Sequence, residues 1–372
     1  MTSADFNALS QLTLLGIFLL SLALGAVVRD SRFCTMGAIS DVVYMGHWGR
    51  MRQWAMAIGV AMCGFAGLSG TGLVNPHHTL YASSQVLWLS AMVGGLLFGF
   101  GMVLASGCGI KNLVRLGEGN LKSLVVLLVM GLAALMTLKG LTAVWRVRSV
   151  DQVLLHLDGV AFLPDMLARA TQWSLPWLRL VLGLAIGLLA VVWSLTRGNA
   201  ERDARGLVGG ALVGLAVTAA WWLSGHFAEV EEHPLTLEHM YATTQSGRAE
   251  ALSFVTPVAQ LLEWLMYYSD TNRVLSFGVV AALGVLVGSL VHASFRREFR
   301  TQGFADTSDL LRHLGGAVLM GVGGVTAMGC TVGQGVSAIS TLHLASFAAV
   351  ICIGLGAVAA LRFQQWRMER AG

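Results

Sequence analysis

GGLLFGFGMVLASGCG (94–109) and GAVLMGVGGVTAMGCT (316–331) align without a gap. Gly94, Gly99, Gly101, Ala105, Gly107 and Cys108 fall on Gly316, Gly321, Gly323, Ala327, Gly329 and Cys330. Each stretch is a glycine-rich apolar run that ends on Gly-Cys. Each is followed by a short segment that reads neither as membrane nor as water-facing surface, NLVRLGEG (112–119) and GQGVSAIS (333–340). One motif used twice means an internal repeat, and the relative direction of its copies decides the fold.

The chain around them has 372 residues, 55% hydrophobic and only 12% charged, with 45 glycines against 5 prolines. Its mean hydropathy is +0.69. That composition excludes a soluble domain and defines an integral membrane protein. The bilayer core asks for about 20 apolar residues per helix. Nine runs meet this: 11–28, 53–73, 86–106, 122–140, 177–196, 206–224, 274–293, 314–329 and 344–361. No basic residue precedes the first run, so it reads as retained rather than as a signal peptide. Lys and Arg gather in alternate loops: 29–52, 107–121, 197–205, 294–313 and the tail from Arg362. The opposite loops 74–85 and 225–273 are uncharged or acidic; the long loop 141–176 is the exception. The positive-inside rule then places the N-terminus outside and the C-terminus in the cytoplasm. The net charge of +4, spread over many loops, reports topology and not nucleic-acid binding.

With that topology the first copy runs inward and the second outward, an inverted repeat. Such repeats build transporters whose broken helices meet near the bilayer midplane. Non-helical backbone survives at that depth only where protein or a water-filled cavity covers it. The expected fold is a single all-α polytopic domain over 1–372 with about nine transmembrane helices, short re-entrant half-helices and a pseudo-two-fold axis. Its halves are 11–140 and 206–361, with a variable linker at 141–205. DQVLLHLDGV (151–160) and VAQLLEWLMYY (258–268) carry apolar residues at helical spacing and predict interfacial helices.

The five cysteines are Cys34, Cys63, Cys108, Cys330 and Cys352. None lies in a CxxC or at metal-ligand spacing from a histidine, so free thiols are expected and no metal or cofactor is called for. Cys63 and Cys352 read as packing. Cys108 and Cys330 each stand where a half-helix begins, and such a start offers unpaired N–H groups to an anion. Gly107, Gly109 and Gly329 leave the backbone open there. A thiol is a polarizable, weak donor suited to a soft sulfur-containing anion. The low dielectric of the membrane favours neutral thiols, against the pull of Lys111 and Arg115. For Cys34, in VVRDSRFCTMGAISD (27–41), the pattern leaves packing and function open; its second-half counterpart is expected near ASFRREFR (293–300). Arg115 and Glu118 are expected to pair and pin the half-helix, and Gln334 to line the path. Lys139 and Glu263 are expected to snorkel to an interface. His77 and His78 read as surface loop rather than as a metal pair. No GxxxxGK[ST] loop marks an ATPase.

Three segments together resemble the YeeE/YedE family of bacterial sulfur-transport membrane proteins: SRFCTMGAISDV (31–42), LFGFGMVLASGCGIKNLVRLGEG (97–119) and GGAVLMGVGGVTAMGCTVGQG (315–335). The resemblance implies an hourglass-like inner-membrane protein that is not an enzyme. It implies thiosulfate uptake, relayed by S–H···S contacts at Cys34, Cys108 and Cys330. It also implies work beside a small cytoplasmic sulfur carrier of the TusA type. Lys111 departs from the pattern, standing where relatives tend to carry glycine. Rival readings are a selenium-containing or other sulfur anion as cargo, a membrane anchor for a sulfur-carrier protein, and a membrane sulfurtransferase working through a persulfide.

Overall fold

The two matched glycine runs lie in two helices, Trp88–Leu104 and Thr307–Thr326, that cross antiparallel at the centre of the molecule. In this computed structural model a Cβ added at Gly101 would meet the carbonyl oxygen of Gly316 at 2.6 Å, and one at Gly316 would meet that of Gly101 at 2.6 Å. Gly94 and Gly323 face each other in the same way. The repeat aligns Gly94 with Gly316 and Gly101 with Gly323, so these two contacts are each other's mates about a two-fold axis. Small residues let the backbones touch where lipid gives no hydrophobic push.

The structure describes residues 3–157, 159–196, 200–232, 238–270 and 274–371. Arg197 and Asp158 lie outside these, as does the side chain of Arg202. In chain order the helices are α1 (Ser3–Asp30), α2 (Thr35–Met45), α3 (Gly49–Gly70), α4 (Trp88–Leu104), α5 (Gly109–Gly117), α6 (Leu121–Lys139) and α7 (Leu141–Arg148). There follow α8 (Leu163–Thr171), α9 (Leu175–Thr196), α10 (Ala200–Trp222), α11 (Thr256–Met266), α12 (Phe277–Phe295), α13 (Thr307–Thr326) and α14 (Leu344–Ala371). Between α13 and α14 the chain is again helical across 331–340, with a π-helical segment at Gly333–Ala338. Among the described residues eight segments are long and apolar enough to cross a membrane, one fewer than the nine read from the sequence. The one that falls short is α13, whose first turns carry Asp309, Arg312 and His313.

The pairings repeat across the axis. α1 packs on α12 as α10 packs on α3, α4 on α14 as α13 on α6, and α2 on α3 as α11 on α12. α9, packed on α3, has no counterpart in this scheme.

Three expectations need correction. The symmetry partner of α2 is α11, so the counterpart of Cys34 lies near 253–255 and not at 293–300. α12 runs parallel to α1, with Gly284 against Phe18 and Ser21 and Gly288 against Leu22, which brings 293–300 to the same end as Cys34. The described residues of 151–160 form no α-helix: a 3-10 turn, Val150–Gln152, leads to Leu155–His156, which pairs antiparallel with Gln85–Val86. The N–H groups of Leu157 and Ala161 donate to Ser84 and Ser83 carbonyls, so the neighbouring loop outbids the local helix. Finally, Lys139 and Glu263 form an ion pair, with Nζ at 2.7 and 3.0 Å from the carboxylate oxygens. The Glu263 side chain is buried and does not snorkel, while that of Lys139 stays 54% exposed. The segment 258–268 is the helix α11, close to its expected place.

Candidate functional site

Three cysteines stand in one local construction. Arg32, Ser106 and Met328 have φ of 52°, 56° and 57°, a left-handed turn at the end of α1, α4 and α13. The next N–H closes the turn on a carbonyl five residues back: Phe33 on Val28 at 3.1 Å, Gly107 on Met102 at 2.9 Å, Gly329 on Gly324 at 2.8 Å. This is the Schellman cap, which satisfies orphan carbonyls and turns the chain. The residue that follows is Cys34, Cys108 or Cys330, and a new helix starts directly after it. The Sγ of Cys34 accepts from Gly37 N–H and that of Cys330 from Gly333 N–H, each at 3.4 Å. Backbone N–H groups of Phe254 and Val332 also face the Cys330 sulfur. A fourth such turn, at Arg297 (φ 55°), ends α12, but Phe299 holds the cysteine position and no helix starts there.

Cys108 and Cys330 each have a hydroxyl beside the thiol. Thr35 Oγ1 lies 4.0 Å from Cys108 Sγ, and Ser253 Oγ lies 4.0 Å from Cys330 Sγ. Thr35 starts α2 and Ser253 precedes α11, so the two contacts are symmetry mates. Cys108 is wholly buried between the other two: Thr35, next to Cys34, reaches its sulfur, and Phe254, next to the Ser253 that reaches Cys330, lies against Gly109. The order is therefore Cys34, Cys108, Cys330. Cys63 packs on Gly187 of α9 and Cys352 on Gly95 of α4, away from this line. All five thiols are free.

Two buried amides brace the turns. Asn112 Nδ2 donates to the carbonyls of Gly107 (2.9 Å) and Cys108 (3.1 Å), and Gln334 Nε2 donates to Ala327 O at 2.6 Å. The alignment of the repeats places Asn112 on Gln334, a signal present in the sequence that the cysteines overshadow. Gln334 Oε1 is buried without a partner. Gly107 and Gly329 make room for their own helices: a Cβ would lie 3.1 Å from Lys111 Cγ and from Gln334 Cγ respectively. At Gly109 it would lie 3.2 Å from Phe254 O. Arg115 and Glu118 do not pair. Arg115 Nη1 holds Ser106 O at 2.8 Å, pinning the turn, while Glu118 meets Arg29 Nε at 3.2 Å. Arg29 also binds Glu298 at 2.8 Å, tying α1 to the segment after α12.

The two ends of the line differ. Cys34 opens on a cavity of about 1130 Å³ lined by eight cations, Arg29, Arg32, Arg50, Lys111, Arg115, Arg205, Arg296 and Arg300, against three carboxylates, Asp30, Glu118 and Glu298. Beyond Cys330 the space narrows to about 80 Å³ between Tyr81, Met328, Gln334 and His343. Tyr81 O–H closes on Gly333 O at 3.0 Å. Thr35, Ser253, Tyr81 and Arg29 escape sequence reading because each acts across the bundle.

Helices broken at cysteine caps, paired about a two-fold axis and opening on a cationic mouth, define a helical membrane transport protein. The sequence family described as sulphur transport matches residues 30–359, and the chain belongs to it. Among similar proteins, the thiosulfate transporter TsuA of Escherichia coli is 28% identical over 328 residues, 84% of this chain and 83% of that protein. The thiosulfate transporter TsuA of Spirochaeta thermophila is 25% identical over 342 residues, 89% of this chain and 93% of that protein.

Proposed function

We propose that the protein carries thiosulfate across the bacterial inner membrane into the cytoplasm, passing it along Cys330, Cys108 and Cys34. The observation that carries this reading is the threefold cap: three thiols, each beginning a helix, in one buried line that ends at a cationic mouth. Thiosulfate is a dianion with a soft terminal sulfur. Neutral S–H groups give it weak, repeated contacts, and permeation needs sites from which the ion leaves. Helix N-terminal N–H groups and flanking hydroxyls serve its oxygens. The halves 11–140 and 206–361 form the two sides of the path, with 141–205 as the linker. The N-terminus is outside and the tail in the cytoplasm, so the cationic mouth faces inward. There it draws the anion on and presents a surface to a small cytoplasmic sulfur carrier of the TusA type. A selenium-containing or other sulfur anion fits the same line of thiols.

The test is growth on thiosulfate as sole sulfur source, in a host lacking its own uptake. The parent chain is expected to restore growth, and Cys108→Ala and Cys330→Ala, at matched expression, to abolish it. Rescue that survives both substitutions would make the thiols packing and end the relay. Mass spectrometry of substrate-treated protein separates transport, which leaves no adduct, from a sulfurtransferase, which leaves a persulfide.

A further inference from the structure

We propose that His78, Glu229 and His239 form a site for a divalent transition-metal ion of the zinc class, at the end of the bundle opposite the cationic mouth. One ligand atom from each lies within 4.8 Å of the others. Two imidazoles and a carboxylate are a donor set for such ions, with coordination positions left open to solvent.

The surroundings resemble a built site. Tyr241 O–H donates to Glu229 Oε1 at 3.1 Å, and its oxygen lies 3.2 Å from His78 Nδ1. With Nδ1–H donating to that phenol, His78 keeps a free lone pair on Nε2. An outer hydrogen bond of this kind fixes the tautomer and aims the ring of a metal-bound histidine. His239 Nε2 stands 3.0 Å from Glu229 Oε1, so nitrogen and oxygen donors already converge.

The framework is fixed from both sides. The N–H of Ala249 donates to His78 O at 3.0 Å, and Leu80 N–H donates to Ala249 O at 2.9 Å. Glu229 and Tyr241 are antiparallel strand partners. His77 is committed elsewhere, 2.8 Å from Asp165, so adjacent histidines do not form the site; His78 works with the hairpin. Arg248 borders the same cavity of about 550 Å³, but its guanidinium is held on Ala82 O at 2.8 Å. A bound ion would lock the loop of His78 to the hairpin. Three residues on, Tyr81 of that loop donates to Gly333 O in the helix that follows Cys330.

The experiment uses the full chain in detergent, purified on a histidine-free tag and stripped with chelator, and titrated calorimetrically with Zn²⁺. Saturation near one ion per chain is expected. His78→Gln and His239→Gln should each weaken binding at least tenfold. His47→Gln, an exposed histidine in the α2–α3 connection, should leave it unchanged. No saturable binding by the parent, or equal binding by the His78→Gln, His239→Gln double variant, overturns the proposal. Zinc-edge X-ray absorption on the parent needs no variant. Nitrogen and oxygen scatterers at about 2.0–2.2 Å support the site, and a sulfur shell at about 2.3 Å would move the ion to the cysteines and overturn it.

Discussion

A sulfur atom is a poor helix cap. Serine, threonine, asparagine and aspartate lead at that position because a compact oxygen accepts the free N–H of the first turn. Cys34 and Cys330 accept from Gly37 and Gly333 at 3.4 Å, where serine would make the stronger bond. Three cysteines at caps in one chain thus trade stability for a soft, polarizable group. Cys330→Ser is expected to hold or raise stability, by up to about 1 kcal/mol, while lowering thiosulfate uptake. Thermal unfolding in detergent and radiolabelled uptake at matched expression check the two halves of that statement. A serine variant that transports as well as the parent would show that the site needs only a small donor. Cys108 and Cys330 are legible in the sequence because six residues match without a gap. Thr35 and Ser253 are not, since each reaches its thiol from a helix start more than 70 residues away and no local spacing announces the contact.

The glycine crossing of α4 and α13 does for the elements what the caps do for the residues. Its antiparallel course lays the end of α4 against Gly316 and the end of α13 against Gly94, so the two turns stand at opposite ends of the crossing. Backbone, not side chain, is the neighbour: a Cβ at Gly101 would stand 2.6 Å from Gly316 O and 2.8 Å from Met320 N. Backbone cannot swing aside, so Gly101→Val must part the helices. A loss of about 3 kcal/mol or more is expected, at the upper end of overpacking costs. Gly354→Val on α14, where a Cβ meets nothing within 4 Å, is the control and should unfold like the parent. Equal unfolding temperatures for the two variants would mean the crossing is looser than the geometry requires. The spans are legible from hydropathy because lipid imposes one length on every crossing helix. The ends are not. Residues 151–160 carry helical spacing, yet Leu155–His156 pair with a strand, and 293–300 imitates a symmetry mate of the Cys34 turn without being one. Both turns end helices with a left-handed residue, but α1 and α12 are parallel, so likeness of local structure there reports a shared end and not a two-fold axis.

At the scale of the molecule the path is asymmetric, and that asymmetry sets which thiol meets solvent. Cys34 is 7% exposed at the wide cationic cavity, whereas Cys108 and Cys330 are 0% and 1% exposed behind it and behind the Tyr81 closure. The proposed orientation places the cavity in the cytoplasm. A membrane-impermeant, negatively charged thiol reagent should therefore label inside-out vesicles, drawn by eight cations, and leave right-side-out vesicles nearly unlabelled. The chain would carry Cys63→Ala and Cys352→Ala, which removes the two thiols outside the line. Cys34→Ala should abolish the signal, because Cys108 comes next only after a conformational change. Raising the salt should slow labelling, since a Debye length of about 8 Å at physiological ionic strength already limits the reach of exposed charge. Thiosulfate should protect Cys34 by occupying the same mouth. Labelling from the opposite side alone would reverse the orientation and make the cationic cavity the entrance, with Cys34 first in the relay instead of last.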